Sequence, residues 1–196
     1  MDTAVHRVVT ARSQVTRLLA VLALVLPALL LPSSAQAATP HCGIYWGSLA
    51  KSSSATVPRG VPTGDVTNVR TGRHACYDRL VIDVDGASHG FSVRYVDKVR
   101  GDASGLVIPT AGGARLQIVA KAPAYDDDGN PTFLPNRARV SDVTGYRTFR
   151  QVTWADTFEG QTSLGLGVRA RLPFRVFTLA GPGSGSRIVV DVAHRW

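Results

Sequence analysis

The sequence predicts an all-β protein, an antiparallel β-sandwich that occupies residues 65–196. Short segments in which apolar and polar residues alternate recur along this part of the chain, as in strands with one buried and one exposed face. Glycine and proline separate the segments, and the chain has a single glutamate, Glu159, although glutamate is a common helix former. Without helices to supply crossover connections, the strands are expected to pair antiparallel in two packed sheets.

Residues 1–37 have the composition of a cleaved secretory signal peptide. Three arginines form a basic region within the first 17 residues, an apolar run follows over residues 18–31, and Ala35-Gln36-Ala37 is a small-x-small cleavage site. The run is shorter than the about 20 residues that a transmembrane helix needs, so cleavage is favoured over an uncleaved anchor. We therefore expect a secreted, extracellular protein, free or at the cell wall, with no transmembrane segment in its mature form.

Residues 38–64 are rich in serine, proline and glycine and are expected to form an irregular arm. Cys42 in this arm and Cys76 at the start of the first strong strand are the two cysteines of the chain. In an exported protein an even number of cysteines is expected to pair, and a disulfide would tie the arm to that strand. The alternative, Cys76 as a nucleophile assisted by His74, is disfavoured by the even count and the compartment.

The strongest strand patterns lie at residues 77–85 and 187–192, near the two ends of the domain. The residues expected to be buried are Leu80, Ile82, Val84, Ile188, Val190 and Val192. The residues expected on exposed faces are Arg79, Asp83, Asp85, Arg187 and Asp191. Val66 and Val69 begin the domain, and further strands are expected over residues 91–95, 106–108, 116–120, 146–154, 163–170 and 174–179.

The order of these motifs resembles the AMIN-like domain of secreted actinobacterial proteins. The resemblance covers roughly residues 65–196 and rests on the segments YDRLVID at 77–83, GFSVRYVD at 90–97, FEG at 158–160, LGLG at 164–167, PFRVFTL at 173–179 and RIVVDVAH at 187–194. AMIN domains are β-sandwich modules that serve peptidoglycan binding and localisation in cell-wall amidases and secretins. The resemblance therefore implies a non-catalytic envelope module. Unlike the amidases, the protein is expected to have no attached hydrolase domain for the module to target.

A hydrolase is the less favoured alternative. Residues 86–90 match the G-x-S-x-G pattern around Ser88, with His89 or His194 as the possible base. A strand pattern follows this segment where the motif needs a helix, so the segment is interpreted as a hairpin connection. An acid pair among Asp83, Asp85 and Asp191 is a second possibility, but pairing of these carboxylates with arginines across the strands is the expected role. His194, alone at a strand end, is expected to be structural.

No cofactor or metal site is expected. Residues 126–130 cluster three carboxylates before a glycine, but the acids are consecutive and the loop does not follow the calcium-binding spacing, so a solvated loop tip is favoured. No His or Cys grouping has the spacing of a zinc site.

The charge points to an anionic partner. Removal of residues 1–37 takes away three arginines and one aspartate, so the formal charge falls from +8 to +6. A basic exported protein is attracted to polyanions such as teichoic acids, although charge also serves simply to keep a protein in solution. Nucleic acid is not expected, because the protein is exported and its arginines are scattered. A secreted protein-interaction module is the alternative to wall binding.

The expected ligand contacts are arginines on exposed strand faces and aromatic rings that can stack on sugars. The arginines are Arg79, Arg94, Arg175 and Arg187, whose planar forks suit carboxylate or phosphate. The aromatic candidates for stacking are Tyr95 and Trp154, with Trp46 in the arm and Trp196 at the terminus as further candidates.

Overall fold

The computed structural model describes residues 41–57, 59–60 and 63–196, so the expected signal peptide lies outside the described residues. A short 3₁₀ turn over His41–Gly43 precedes eleven strands. The strands are β1 (Lys51–Ser54), β2 (Val66–Arg73), β3 (Tyr77–Val84), β4 (Gly90–Val96), β5 (Val99–Arg100), β6 (Val107–Ile108), β7 (Ala114–Ala120), β8 (Phe149–Phe158), β9 (Gln161–Val168), β10 (Phe174–Ala180) and β11 (Ser186–Ala193). In this part of the chain, no helix is long and apolar enough to cross a membrane.

The strands form two antiparallel sheets that pack together, which confirms the predicted fold class. One sheet has five strands in the order β1-β4-β7-β9-β8, and the other has four in the order β10-β11-β3-β2. β5 and β6 make a separate small hairpin. The two strands with the strongest sequence patterns, β3 and β11, are neighbours in the centre of the four-stranded sheet, where Val81 pairs with Val189.

The core lies between the two sheets and is filled by alternate residues of each strand. Its largest fully buried side chains are Phe149, Phe174, Leu80, Ile82, Leu116, Ile118, Leu164, Leu166 and Ile188. Burial of a side chain of this size contributes about 1.5–3 kcal/mol. The predicted inward residues of β3 and β11 are all at most 3% exposed, so the alternation in the sequence identified the core face of both strands.

The connection over residues 86–90 differs from the expected hairpin. β3 lies in the four-stranded sheet and β4 in the five-stranded one, so the segment crosses between sheets. At Gly90, φ is +112°, and a Cβ atom there would lie 2.3 Å from the carbonyl oxygen of Ser53. Glycine is needed for this close approach. The hairpin prediction was wrong because the alternation of apolar and polar residues in β3 and β4 does not specify which sheet each strand joins.

The arm is less irregular than expected. Residues 51–54 form β1, which pairs antiparallel with β4 and makes one edge of the five-stranded sheet. The serines of this short strand lie at an edge where few side chains are buried, and so the composition alone did not predict a strand.

Candidate anion-binding face

The outer face of the four-stranded sheet, directed away from the core, carries the candidate site. Strand register arranges its side chains in three rows across β10, β11, β3 and β2. The rows are Arg175-Asp191-Arg79-Gly72, Phe177-Val189-Val81-Arg70 and Leu179-Arg187-Asp83-Asn68. Four arginines therefore share this face with two carboxylates, which leaves a formal excess of positive charge. We call these rows the arginine face.

Asp191 lies in the first of these rows, between Arg175 and Arg79, and is fully buried. Arg79 grips it with two hydrogen bonds, from Nε to Oδ1 at 2.6 Å and from Nη2 to Oδ2 at 2.9 Å. Arg175 donates its Nε to Oδ2 at 2.8 Å. The hydrogen bonds to Asp191 raise the pKa of Arg79 above its ordinary value, so this arginine stays charged. One carboxylate thus orients two guanidinium groups, which is a geometry that arginine forks favour.

The other two arginines are held differently. Arg70 donates Nε and Nη2 to the two oxygens of Asp83 at 2.8 and 3.0 Å, and this hydrogen bonding raises the pKa of Arg70. Arg187 lies opposite Asp83 in the register but donates its Nη2 to the backbone oxygen of Ala180 at 2.9 Å instead. The Nε of Arg187 is shielded from solvent and has no hydrogen-bond partner among the described residues.

Aromatic rings surround the arginines at one end of the face. The guanidinium carbon of Arg175 lies 4.4 Å from the centroid of the Trp46 ring and 5.0 Å from that of Phe177. Trp46 meets Tyr77 edge to face, and the guanidinium carbon of Arg79 lies 5.3 Å from the Tyr77 centroid. Cation–π contacts of this kind contribute about 0.5–1 kcal/mol each at exposed sites. They restrict the guanidinium groups further.

A disulfide brings Trp46 to this position. Cys42 and Cys76 are bonded, with their Cα atoms 6.2 Å apart, as the sequence predicted. Cys76 immediately precedes Tyr77, and Cys42 lies four residues before Trp46, so the bridge brings the two rings together. The arm is held further by the backbone hydrogen bond from Phe174 to Gly47 at 2.9 Å.

A groove on the arginine face is lined by three of its four arginines. Its cavity volume is about 240 Å³, and its walls include Arg70, Arg79 and Arg187. The side chains of Val81 and Val189 form an apolar floor. A neighbouring depression of about 480 Å³ shares Arg70 and Arg187 and continues past the loop that begins at Pro182. We call the smaller cavity the arginine groove.

The structure brings together three of the four predicted arginines. Arg79, Arg175 and Arg187 all lie on the arginine face. Arg94 is exposed on β4 of the other sheet, so it does not join this group.

The two predicted aromatic contacts are placed elsewhere. The hydroxyl of Tyr95 donates to the backbone oxygen of Leu172 at 2.8 Å, and burial raises its pKa. Trp154 is only 6% exposed and packs in the core edge to face with Phe133, so its ring presents no free stacking surface. Its position in β8 puts it opposite Leu164, on the inward side of the sheet.

Sequence reasoning missed Arg70 and misjudged Asp191. Arg70 belongs to β2, where an irregularity between Val66 and Asn68 shifts the register and breaks the simple alternation that identifies a strand. Asp191 was expected on an exposed face. It does face away from the core, but Arg79 and Arg175 cover it completely.

The groups of the alternative hydrolase do not assemble. Ser88 is buried, and its hydroxyl accepts from the backbone nitrogen of Gly90 at 3.0 Å and donates to the oxygen of the same residue. His194 bonds through Nε2 to Asp78 at 3.1 Å, at the opposite end of β3 from Ser88. Among the described residues, no histidine ring hydrogen-bonds to Ser88.

The carboxylates considered for acid catalysis are occupied as well. Both oxygens of Asp191 and both oxygens of Asp83 accept arginine N–H groups, which leaves neither carboxyl placed to donate a proton. Asp85 accepts from the backbone nitrogen of Asp65 at 2.9 Å. In the acidic loop, Oδ1 of Asp126 accepts the backbone N–H groups of Asp128 and Asn130, as in a solvated turn.

Comparison with known proteins agrees with this architecture. No curated protein and no solved structure matches the chain. Residues 64–194 match the AMIN-like domain family, a span that includes β2 to β11 and the whole arginine face. The chain belongs to the AMIN-like domain family.

Proposed function

We propose that this protein is an exported, non-catalytic module of the cell envelope that binds peptidoglycan or an associated anionic wall polymer through the arginine face. The observation that supports this proposal most directly is the set of four arginines on one sheet face. Three of them bond to two carboxylates, and two of these three lie beside aromatic rings. Arginine forks recognise carboxylate and phosphate, which are the charged groups of wall polymers.

The scaffold and the compartment support the same proposal. The AMIN-like domain is a β-sandwich module that suggests envelope association. The disulfide between Cys42 and Cys76 is consistent with a location outside the cytoplasm, where such bonds persist. The signal peptide expected at residues 1–37 would deliver the protein there. On this proposal the ligand-contacting arginines are Arg79, Arg175 and Arg187 from the predicted set, together with Arg70.

The face suits a long polymer better than a small enclosed substrate. The arginine groove and the adjoining depression form an open surface that extends across the sheet from Arg79 to the loop at Pro182. An extended chain with repeated anionic groups can contact several arginines at once, and such multiple contacts raise the avidity of individually weak sites.

The test is co-sedimentation of the protein, expressed from its full coding sequence, with isolated cell walls before and after removal of teichoic acid. The informative variant is Arg70→Gln with Arg187→Gln, because neither residue bonds to buried Asp191. The matched control is Arg94→Gln with Arg147→Gln, which removes the same charge from exposed residues that donate no side-chain hydrogen bond to the described part of the chain.

We expect the first pair of substitutions to abolish most of the binding and the control pair to leave most of it. Binding should fall as salt rises beyond the concentration at which the Debye length is about 8 Å. Loss of wall binding on removal of teichoic acid would identify teichoic acid as the ligand, and retention of binding would identify peptidoglycan. Absence of wall binding at low salt, or equal losses in both double variants, would contradict the proposal and favour a protein-interaction module.

A further inference from the structure

The arginine groove contains hydrogen-bond donors that the protein itself does not use. Arg70 commits Nε and Nη2 to Asp83, and Arg79 commits the same two atoms to Asp191. The Nη1 group of each has no acceptor within the described ranges 41–57, 59–60 and 63–196. Each guanidinium is therefore fixed along one edge by a carboxylate and offers its remaining N–H groups to a ligand.

Arg187 adds the least satisfied group. Its Nη2 bonds to the backbone of Ala180, whereas Nε is buried without a partner in the part of the chain that the structure describes. Because Nε is shielded from solvent, the group of Arg187 that a ligand in the open groove can reach is Nη1. This group also has no acceptor among the described residues, so it is free to donate to a bound oxygen.

The shape of the groove leaves room for such an acceptor. Gly72 stands opposite Arg79 in the register, and a Cβ atom at this position would have only the ring nitrogen of His74 within 4 Å, at 3.9 Å. The floor of Val81 and Val189 is apolar, so it offers no competing hydrogen bond to an anion and suits a short aliphatic group. Absence of a side chain at Gly72 keeps the groove open.

We propose that the arginine groove binds one oxyanion group, a carboxylate or a phosphate, whose neighbouring aliphatic carbon rests on the valine floor. The donors are the free N–H groups of Arg70, Arg79 and Arg187. Two wall components supply this chemistry, the terminal carboxylate of a peptide and the phosphate of a glycerol-phosphate polymer. The inference rests on the proposed function for the biological source of the anion, but small anions test the groove without any polymer.

The experiment is a titration of the ¹⁵N-labelled protein, expressed from its full coding sequence, followed by NMR at low ionic strength. Three probes are used at millimolar concentration: acetyl-dialanine, its C-terminal amide, and glycerol 1-phosphate. We expect the carboxylate probe, the phosphate probe or both to shift the arginine Nε–H signals and the amide signals of β2, β3 and β11. The amide probe, which has lost only the charge, should not shift them. The stronger of the two anions identifies the source.

Two variants test the location of the site. Gly72→Val fills the groove with a residue that strands favour and keeps every charge, and Ser92→Val adds a similar side chain to the outer face of the other sheet. We expect Gly72→Val and Arg187→Gln each to weaken anion binding by about tenfold or more. The valine keeps the anion away from the guanidinium groups, and the glutamine removes a charged donor, so charge-assisted hydrogen bonds to the anion are lost in both variants. Ser92→Val should leave the affinity unchanged. Unshifted amide signals in the core verify that each variant is folded.

Equal binding of the amide and the carboxylate, or full retention of binding in both Gly72→Val and Arg187→Gln, would overturn the inference. So would the absence of any shift with both anions. These failures are distinct from failure of the proposed function. If walls still sediment the protein in an Arg70- and Arg187-dependent manner while no small anion binds the groove, the polymer is held by the face as a whole and the groove is not its subsite.

Discussion

Substitution of Asp191 by asparagine tests whether the arginine face is organised by its buried carboxylate. The change keeps the size of the side chain and removes its charge. Three hydrogen bonds to charged donors end on this carboxylate, at 2.6, 2.8 and 2.9 Å. In the variant, the asparagine nitrogen would replace one acceptor oxygen and would face a guanidinium group with N–H against N–H.

The loss of stability expected for Asp191→Asn follows from the burial of the carboxylate and its arginine partners. Removal of one partner from a buried ion pair costs about 3–5 kcal/mol, because the other charge stays desolvated. Here Arg79 and Arg175 keep side-chain exposures of 23% and 39%, so water can reach both guanidinium groups after the substitution. We therefore expect Asp191→Asn to lower the free energy of unfolding by about 2–4 kcal/mol, which is somewhat less than for a fully buried pair.

Asp83→Asn is the matched control on the same face. It removes the same charge from the pair with Arg70, whose side chain is 51% exposed. An exposed pair of this kind contributes less than about 1 kcal/mol. The two substitutions are chemically identical. The two sites differ in the burial of the carboxylate and in the number of arginine hydrogen bonds that it accepts, which is three at Asp191 and two at Asp83.

The assay is urea unfolding of both variants, followed by tryptophan fluorescence, with the disulfide intact. For a domain of this size, each 1 kcal/mol lowers the melting temperature by about 2–4 °C, so a parallel thermal scan gives a second estimate. If the two variants lose the same stability to within about 0.5 kcal/mol, burial of Asp191 does not determine its contribution and the reasoning is wrong.

Three further predictions concern other parts of the molecule. Replacement of Cys42 and Cys76 by serine opens a loop with a sequence separation of 34 and should lower the free energy of unfolding in urea by about 3–4 kcal/mol. The replacement should also change the fluorescence of Trp46, and this change should vanish in a Trp46→Phe background. Ile82→Ala, at a fully buried position, should cost about 2–5 kcal/mol, and a loss below 1 kcal/mol would contradict the assigned core face. Burial, and then three nearby aspartates, raise the pKa of Asp65, so its ionisation opposes folding and stability falls as the pH rises above the ordinary aspartate value. Asp65→Asn should therefore raise the melting temperature at pH 7 and change it little at pH 3. A larger increase at pH 3 than at pH 7 would contradict a raised pKa of Asp65.

The sequence was sufficient for the features that depend on local pattern. Alternation identified the core face of β3 and β11, including Ile82 and Val190 at 0% exposure. The even number of cysteines, in a chain expected to be exported, predicted the bond between Cys42 and Cys76. These features follow from side-chain direction along one strand and from compartment chemistry, and neither requires knowledge of the tertiary arrangement.

Features that depend on neighbouring strands could not be predicted. Alternation indicates that Asp191 faces away from the core, but its burial comes from Arg79 on β3 and Arg175 on β10, which only the strand order brings beside it. For the same reason, no pattern in β4 showed that Arg94 would lie in the other sheet from the remaining arginines. A site built across strands is specified by register, and register is a property of the whole fold.

The Asp191→Asn variant also separates two physical accounts of polymer binding. The substitution raises the net charge of the arginine face by one unit, so attraction that depends only on charge should strengthen and wall binding should tighten at low salt. If binding instead needs guanidinium groups held in fixed directions, loss of the carboxylate that orients Arg79 and Arg175 should weaken it despite the added charge. We expect weaker binding, measured by wall co-sedimentation at a temperature where both proteins are folded. Tighter binding by the variant would mean that the arginines act as a diffuse positive surface, and the oriented geometry around Asp191 would then serve stability alone.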